Sequence, residues 1–199
     1  MSVWIKICGL TSGDAVEAAI ECNVDAVGFV FAPSKRQVDP LRAAQLARIV
    51  PSRIAKVAVM LHPSQQELDA VLAGFRPDVL QTDAADFAAL IVPSEIEKLP
   101  VVRGAVKLAA PRVLFEGAVS GQGKIADWTA AASLARHTQL VLAGGLNPGN
   151  VEQAIAAVHP FGVDVSSGVE RAPGRKDPDK IREFVQRARD LQCITSEDR

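Results

Sequence analysis

The stretch that decides the fold is QLVLAGGLNPGNVEQAIAAVHPFGVDVSSG, residues 139–168. It opens with an aliphatic run, turns at Gly144-Gly145, continues through an Ala-rich segment with helical spacing, and ends in a second aliphatic run from Gly162. Asn147 is a residue type that caps helices, and Pro148 suits the first helical turn. The stretch therefore predicts a strand, a returning helix and a second, parallel strand.

The same pattern recurs along the chain, because most successive strand starts lie 22 to 29 residues apart, about one strand plus one helix. The predicted strands are Val3–Cys8, Asp25–Phe31, Ile54–Leu61, Asp78–Gln81, Val101–Val106, Arg112–Glu116, Gln139–Ala143 and Gly162–Ser166. The predicted helices are Ser12–Glu21, Pro40–Ile49, Ser64–Ala73, Ala126–Arg136, Asn147–Val158 and Pro178–Leu191, with Asp86–Glu97 as a further helical stretch.

Eight strands alternating with helices admit a closed barrel or an open doubly wound sheet. The strand count favours an α/β fold with a single (β/α)8 TIM barrel over residues 1–199, ending in a polar tail from about residue 193. Only Lys107–Pro111 separates the fifth and sixth strands, which is too short for an ordinary helix, so we expect a loop there.

Alternation along the strands predicts which side chains face the barrel axis. In the first strand, Val3, Ile5 and Ile7 share the face suited to the helices, which directs Lys6 and Cys8 inward. By the same argument, the sixth strand directs Leu114 and Glu116 inward, and the eighth directs Asp164 and Ser166 inward. Polar residues near the carboxyl ends of barrel strands are where barrel enzymes carry out their chemistry.

Composition narrows the class of protein. Apolar residues make up 48% of the chain and the formal net charge is −1, so a core can form and the basic field of a nucleic-acid or anionic-membrane binder is missing. The cysteines Cys8, Cys22 and Cys193 have no metal-like spacing, and the three histidines are scattered, so we expect no metal site. With neither a signal-peptide pattern nor a membrane-length apolar run, we expect a cytoplasmic protein.

Cys8 is the first candidate for chemistry, because it ends a strand and is followed by Gly9, which allows a sharp turn. A thiol whose pKa is lowered acts as a base or nucleophile near neutral pH, and Lys6 on the same face favours the thiolate. The alternative is a small buried hydrophobic residue that packs inertly.

Glycine-bearing turns and one arginine are the candidate binding groups. Arg36 in a basic loop after the second strand is either a bidentate ligand for a carboxylate or a solvated surface residue. Arg103 either points inward or forms an outward ion pair. Backbone amides in turns after late strands bind phosphate, although a single Gly-Gly is more often a plain turn. The turns carry Gly121 and Gly123, Gly144 and Gly145, and Ser167 and Gly168.

Several motifs together, in this order and spacing, resemble the phosphoribosylanthranilate isomerase family of tryptophan biosynthesis, from about Val3 to Leu191. They are KICGLT at 6–11, GFVFAPS at 28–34, GK at 123–124 followed by DW at 127–128, LAGGLNP at 142–148 and GVDVSSGVE at 162–170.

The resemblance implies a cofactor-free Amadori rearrangement of N-(5-phosphoribosyl)anthranilate to the carboxyphenylamino-deoxyribulose phosphate. It implies that Cys8 is the general base and that the carboxyl after the sixth strand is the general acid. It further implies that Arg36 binds the anthranilate, that Asp164 contacts the sugar hydroxyls, and that the glycine-bearing turns hold the phosphate.

Two positions depart from the family pattern. The acid is usually an aspartate, whereas this chain has Glu116, which keeps the carboxyl and adds one methylene. After the fourth strand the family commonly reads Gln-Leu-His-Gly, whereas this chain has Gln81-Thr82-Asp83-Ala84. Gln81 is thus retained as a substrate ligand, while Asp83 stands where the histidine is usual.

Three alternatives stay open beside this reading. One is a related phosphosugar barrel, either an indole-glycerol phosphate synthase-like lyase or a bispecific isomerase. Another is a phosphate-binding barrel without catalysis, against which an inward thiol and an inward acid argue. We expect a small phosphorylated aminosugar as the substrate and a monomer with no nucleic-acid or membrane partner.

Overall fold

Eight parallel strands of the computed structural model close into a barrel in chain order, and the eighth pairs with the first. The structure describes residues 2–104, 110–117 and 126–194. The barrel strands are β1 (Trp4–Cys8), β2 (Ala26–Val30), β3 (Ala55–Val59), β4 (Val79–Asp83), β5 (Glu97–Val102), β6 (Arg112–Phe115), β7 (Gln139–Leu142) and β8 (Gly162–Val165). The predicted (β/α)8 barrel is confirmed.

Helices surround the barrel and return the chain from one strand to the next. They are α1 (Gly13–Glu21), α2 (Pro40–Ala47), α3 (Gln65–Phe75), α4 (Trp128–Ala135), α5 (Val151–Val158) and α6 (Pro178–Ile194). After β4 there is only a short 3₁₀ helix, Ala84–Ala88, so the helical stretch predicted over Asp86–Glu97 is wrong. The described residues between β5 and β6 contain no helix, and residues 107–109 of the predicted loop Lys107–Pro111 lie outside the described residues. No helix that the structure describes is long and apolar enough to cross a membrane.

Local sequence explains where several helices begin. Ser64 and Glu67 form a capping box at α3, in which the Ser64 amide donates to the Glu67 carboxylate at 2.7 Å and the Glu67 amide donates to Ser64 Oγ at 3.3 Å. At α2 the Asp39 carboxylate accepts from the Arg42 amide, with Pro40 in the first turn. Such caps satisfy amides that the helix itself leaves without acceptors, and each stabilises its helix by about 1 kcal/mol.

Several element boundaries differ from the prediction, and two of these differences have a clear local reason. β5 begins at Glu97 rather than at Val101, because the exposed pair Glu97 and Lys98 hides a strand that pairs with Val79 and Leu80 of β4. α5 begins at Val151 rather than at Asn147, because the Asn147 carboxamide oxygen accepts from the Gly149 amide and holds the chain in a turn.

Two separate apolar clusters confirm the predicted alternation of side chains. The cluster between strands and helices contains Ile5, Ile7, Val113, Phe115, Val163 and Val165. The cluster inside the barrel contains Ala26, Val57, Val79, Leu99, Val101, Leu114, Val141 and Ala143. Full burial of an aliphatic side chain such as Ile5 stabilises the fold by about 1.5–3 kcal/mol. The inner cluster fills the lower barrel and leaves the polar inward residues at the carboxyl ends of the strands.

The barrel floor provides a test of this packing. A Cβ at Gly162 would lie 2.6 Å from the Trp4 carbonyl oxygen and 2.9 Å from Trp4 Cε3, so Gly162→Ala should lower the free energy of unfolding by about 2 kcal/mol through overpacking. Gly13→Ala is the matched control, because nothing lies within 4 Å of the added methyl group. Chemical denaturation of both variants checks this, and equal midpoints would contradict the packing described for the floor.

Candidate active site

Lys6, Cys8 and Asp164 meet at the barrel axis, where β1 and β8 close the barrel. Lys6 pairs with Asp164 in strand register, and its Nζ donates to Asp164 Oδ1 at 2.8 Å. The Lys6 side chain is completely buried, and Asp164 is 8% exposed. A lysine is buried this deeply only when its charge is matched, which the Asp164 carboxylate provides.

Gly28 makes room for the lysine and the thiol. A Cβ at Gly28 would lie 3.1 Å from Lys6 Nζ and 3.2 Å from Cys8 Sγ, so both groups pass over this one backbone position. Gly28 also faces Cys8 in the β1–β2 register. No role was predicted for Gly28 itself, although this residue opens one of the motifs quoted above.

The charges around the thiol act in opposite directions. Burial raises the pKa of Cys8, whereas the charges of Lys6 and Lys176 lower it. Burial has the larger effect, so the pKa of Cys8 stays above its ordinary value. Burial lowers the pKa of Lys6, but Asp164 and Cys8 together raise this pKa by more than burial lowers it, so Lys6 stays charged. The expectation of a thiol with a lowered pKa is therefore wrong, because desolvation at the barrel axis outweighs the nearby cations.

Arg36 is held by a carboxylate that the sequence analysis did not single out. Its Nε donates to Glu170 Oε1 at 2.7 Å and its Nη2 donates to Glu170 Oε2 at 3.0 Å, a bidentate pair. The hydrogen bonds that Arg36 donates to Glu170 raise the pKa of Arg36. Both side chains are largely buried, so Arg36 is no solvated surface residue. The structure records no acceptor for Nη1 among the residues it describes.

A hairpin after β8 brings a second buried lysine to this pair. The hairpin consists of β9 (Glu170–Ala172) and β10 (Arg175–Lys176), which the sequence did not predict. Lys176 Nζ donates to Glu170 Oε1 at 2.9 Å and to the Ser166 carbonyl oxygen at 2.9 Å. Burial lowers the pKa of Lys176. Burial raises the pKa of Glu170, but Arg36 and Lys176 lower this pKa by more, so it lies below its ordinary value.

The hairpin also lies against the loops that follow β1 and β2. Thr11 Oγ1 donates to the Gly174 carbonyl oxygen at 2.9 Å, and a Cβ at Gly174 would lie 2.2 Å from the Lys35 carbonyl oxygen. A cleft of about 580 Å³ opens beside Arg36, between the hairpin and the loop after β2. Its size and its cations suit an anionic small molecule.

The predicted phosphate turns after β7 and β8 are in contact. Gly144 and Gly145 have φ of 87° and 68°, which favour glycine, and Asn150 Nδ2 donates to the Gly145 carbonyl oxygen at 2.9 Å. A Cβ at Gly168 would lie 1.9 Å from the Leu146 carbonyl oxygen, so that close approach of the two turns requires glycine. Ser167 lies beside it in a short 3₁₀ helix. Gly121 and Gly123 lie outside the described residues.

Glu116 follows β6 and binds Arg103, which follows β5 and points inward. Arg103 Nη2 donates to Glu116 Oε1 at 2.5 Å, and Arg103 Nη1 donates to Asp83 Oδ2 at 2.8 Å. The hydrogen bond that Arg103 donates to Asp83 and the charge of Glu116 raise the pKa of Arg103. The guanidinium thus joins the ends of β4, β5 and β6.

Gln81 in β4 and His62 after β3 lie toward the carboxyl ends of the strands, the end of the barrel that we call the mouth. Gln81 is buried on the inward face of β4, and its Oε1 is a buried acceptor without a partner among the described residues. His62 is exposed, with Nδ1 2.9 Å from Asp86 Oδ1, and the hydrogen bond to Asp86 raises the pKa of His62. The described residues contain no cluster of histidine, cysteine or acidic side chains suited to a metal ion.

Comparisons with known proteins agree on one family. The family model described as N-(5'phosphoribosyl)anthranilate (PRA) isomerase matches residues 5–187. The N-(5'-phosphoribosyl)anthranilate isomerase of Streptococcus gordonii is 39% identical over 193 residues, which cover 94% of this chain and 97% of the relative.

Solved structures give the same result. The TrpF structure from Jonesia denitrificans has a TM-score of 0.80 and 34% identity, covering 96% of this chain and 99% of the other. A phosphoribosyl anthranilate isomerase in complex with reduced 1-(o-carboxyphenylamino)-1-deoxyribulose 5-phosphate has a TM-score of 0.77 and 31% identity, covering 94% of this chain and 98% of the other.

The opposing effects of burial and charge on Cys8 can be measured. The ultraviolet absorbance of the thiolate, as the difference between wild type and Cys8→Ser, should titrate above the pKa of free cysteine, because burial disfavours the charged form. Lys6→Met should move the midpoint higher still, because the cation that lowers the pKa is removed. A wild-type midpoint below that of free cysteine would contradict the balance described here.

Proposed function

Because this chain belongs to the N-(5'-phosphoribosyl)anthranilate isomerase family, we propose that Cys8 and Glu116 move the protons of the isomerase reaction. The chain is a phosphoribosylanthranilate isomerase of tryptophan biosynthesis. It converts N-(5'-phosphoribosyl)anthranilate to 1-(2-carboxyphenylamino)-1-deoxyribulose 5-phosphate by an Amadori rearrangement. This change moves protons and double bonds within one molecule, so an acid and a base suffice for it.

The reaction begins with the acid. Protonated Glu116 gives its proton to the furanose ring oxygen, the bond from C1' to that oxygen breaks, and the amine nitrogen forms a C=N bond to C1'. Cys8 Sγ then takes the proton from C2', and the electron pair left on C2' forms a double bond to C1' while the π electrons of the C=N bond return to the nitrogen. Loss of the proton from the C2' hydroxyl and protonation of C1' give the ketone, so the product is an isomer of the substrate.

The observation that carries this proposal is the convergence of Lys6 and Cys8 over Gly28. A buried thiol is a poor source of thiolate, and the charged Lys6 beside it offsets part of that cost. Lys6 occupies Oδ1 of Asp164, which leaves Oδ2 to accept from the sugar hydroxyls. The lysine thus supports both the base and the sugar ligand.

Arg36 and the two turns hold the ends of the substrate. Glu170 occupies Nε and Nη2 of Arg36 and fixes the plane of the guanidinium, so Nη1 is the group that binds the anthranilate carboxylate. The amides of Gly144, Gly145, Ser167 and Gly168 bind the phosphate, together with the predicted ligands Gly121 and Gly123. The buried Gln81 Oε1 accepts a hydrogen bond from the substrate.

The chain acts as a monomer in the cytoplasm under this proposal. Every residue given a role comes from one chain, so the site needs no second copy. Cys8 and Cys22 are free thiols, the state that a reducing compartment maintains.

Removing the base tests its role. Cys8→Ser should lower kcat by about 10²–10⁴-fold with little change in KM, because a hydroxyl is far less acidic than a thiol. Cys22→Ser is the matched control, since Cys22 lies at the end of α1 and should leave kcat unchanged. The assay follows loss of phosphoribosylanthranilate fluorescence, and a Cys8→Ser enzyme with wild-type kcat would make Cys8 a packing residue.

Replacing the guanidinium tests the carboxylate site. Arg36→Lys keeps the charge but loses the planar donor set, so KM for phosphoribosylanthranilate should rise by about tenfold while kcat changes less. Inhibition by inorganic phosphate should stay at the wild-type level, because the phosphate turns are untouched. An unchanged KM would show that Arg36 does not bind the substrate carboxylate.

A further inference from the structure

Lys176 lies behind the wall of the cleft and not on its surface. Arg36, Ser167 and Glu170 line the cleft, whereas Lys176 is not a lining residue and is only 1% exposed. Its Nζ donates to the Ser166 carbonyl oxygen at 2.9 Å, to Ser166 Oγ at 3.2 Å and to Glu170 Oε1 at 2.9 Å. An ammonium group has three N–H donors, and these three contacts use all of them.

We propose that Lys176 is a positioning residue that holds the two anion-binding ends of the site relative to each other, the turn at Ser167 and Gly168 and the guanidinium of Arg36. This inference rests on the proposed function, which places the substrate phosphate at the turn and the substrate carboxylate at Arg36. Lys176 binds neither group of the substrate and acts through the two residues that its ammonium group holds.

The contact with Ser166 fixes the start of the phosphate turn. Ser166 directly precedes the short 3₁₀ helix Ser167–Val169. The Ser166 carbonyl and the Ser167 amide belong to one planar peptide unit, so a carbonyl held by Lys176 also fixes the direction of that amide. At the other end of the turn, the Asp177 amide donates to the Val169 carbonyl oxygen at 2.8 Å. Consecutive residues of the hairpin therefore hold both ends of the turn.

The contact with Glu170 fixes the carboxylate that holds Arg36. Glu170 Oε1 accepts from Lys176 Nζ at 2.9 Å and from Arg36 Nε at 2.7 Å, while Oε2 accepts from Arg36 Nη2 at 3.0 Å. A carboxylate on a long side chain keeps one direction only when its own contacts restrict it, and the buried ammonium group provides such a contact. The Arg36 guanidinium, paired with that carboxylate through two parallel bonds, then keeps a fixed plane.

Stability alone does not call for a lysine at this place. Apolar residues that replace a buried ion pair often leave stability unchanged or raise it, because they carry no desolvation cost. Without the Lys176 ammonium group, Glu170 still pairs with Arg36, so the substitution Lys176→Met leaves no buried charge without a counterion. We therefore expect this variant to fold, and its binding constants then report on positioning.

The experiment measures KM for phosphoribosylanthranilate and the inhibition constant of inorganic phosphate in Lys176→Met and in Arg36→Lys. Lys176→Met should raise KM about tenfold and the inhibition constant about fivefold, because both ends of the site lose their fixed direction. Its kcat should fall by less than KM rises, because Lys6 stays beside the Cys8 thiol. Arg36→Lys should raise KM alone, because it leaves the phosphate turn intact.

Lys180→Met is the matched control, because the exposed Lys180 donates to the Glu170 backbone carbonyl at 2.9 Å and not to its carboxylate. Both constants should stay at their wild-type values in this variant. Repeating the measurements in about 0.5 M potassium chloride separates positioning from attraction at a distance, because salt screens only the second. The ratio of each Lys176→Met constant to the wild-type constant should therefore persist at high salt.

Thermal unfolding shows whether each variant is folded, and Lys176→Gln repeats the test if Lys176→Met is not. A folded Lys176 variant with an unchanged phosphate inhibition constant, or with an effect that high salt abolishes, would overturn the inference. If Arg36→Lys raises KM while the Lys176 variant changes neither constant, the proposed function stands and only this inference fails. Failure of the proposed carboxylate site would instead leave KM unchanged in Arg36→Lys.

Discussion

The buried Lys6–Asp164 ion pair is the interaction on which the rest of the site depends. It joins the first strand to the last where the barrel closes, and it permits a charged ammonium to lie beside the Cys8 thiol. Removing one partner of such a pair leaves an uncompensated buried charge, which typically costs 3–5 kcal/mol. Gly28 provides the space in which the pair and the thiol meet, so the closure of the fold and the placement of the base share the same residues.

The described charged residues at the mouth form three groups, which differ in how their charges are matched. Lys6 and Asp164 are neutral together at the axis. Glu170 faces the two cations Arg36 and Lys176, which leaves one excess positive charge on the side proposed for the substrate carboxylate. Arg103 donates to Asp83 and Glu116 on the side proposed for the acid. An anion is attracted to the side that carries the excess positive charge.

Sequence alternation predicted the groups that regular strands position. Lys6, Cys8 and Asp164 point inward as expected because strand side chains alternate strictly, and hydrophobic neighbours fix which face is buried. The hairpin carrying Glu170 and Lys176 was missed, because strands this short and charged have no hydrophobic pattern. The pKa of Cys8 was expected in the wrong direction, because it depends on how much solvent the assembled barrel excludes. The Arg103 pairing was left open, because Arg103 and Glu116 lie just beyond the ends of β5 and β6, where strand alternation no longer determines the direction of a side chain.

The account is tested most directly by a crystal structure of this protein with the reduced product analogue bound. We expect the carbon that corresponds to C2' to lie roughly 3–3.5 Å from Cys8 Sγ, with the hydroxyl derived from the ring oxygen within hydrogen-bond reach of Glu116. The analogue's carboxylate should contact Arg36. A bound analogue whose C2' is remote from Cys8, with another side chain nearer to that carbon, would contradict the assignment of Cys8 as the base.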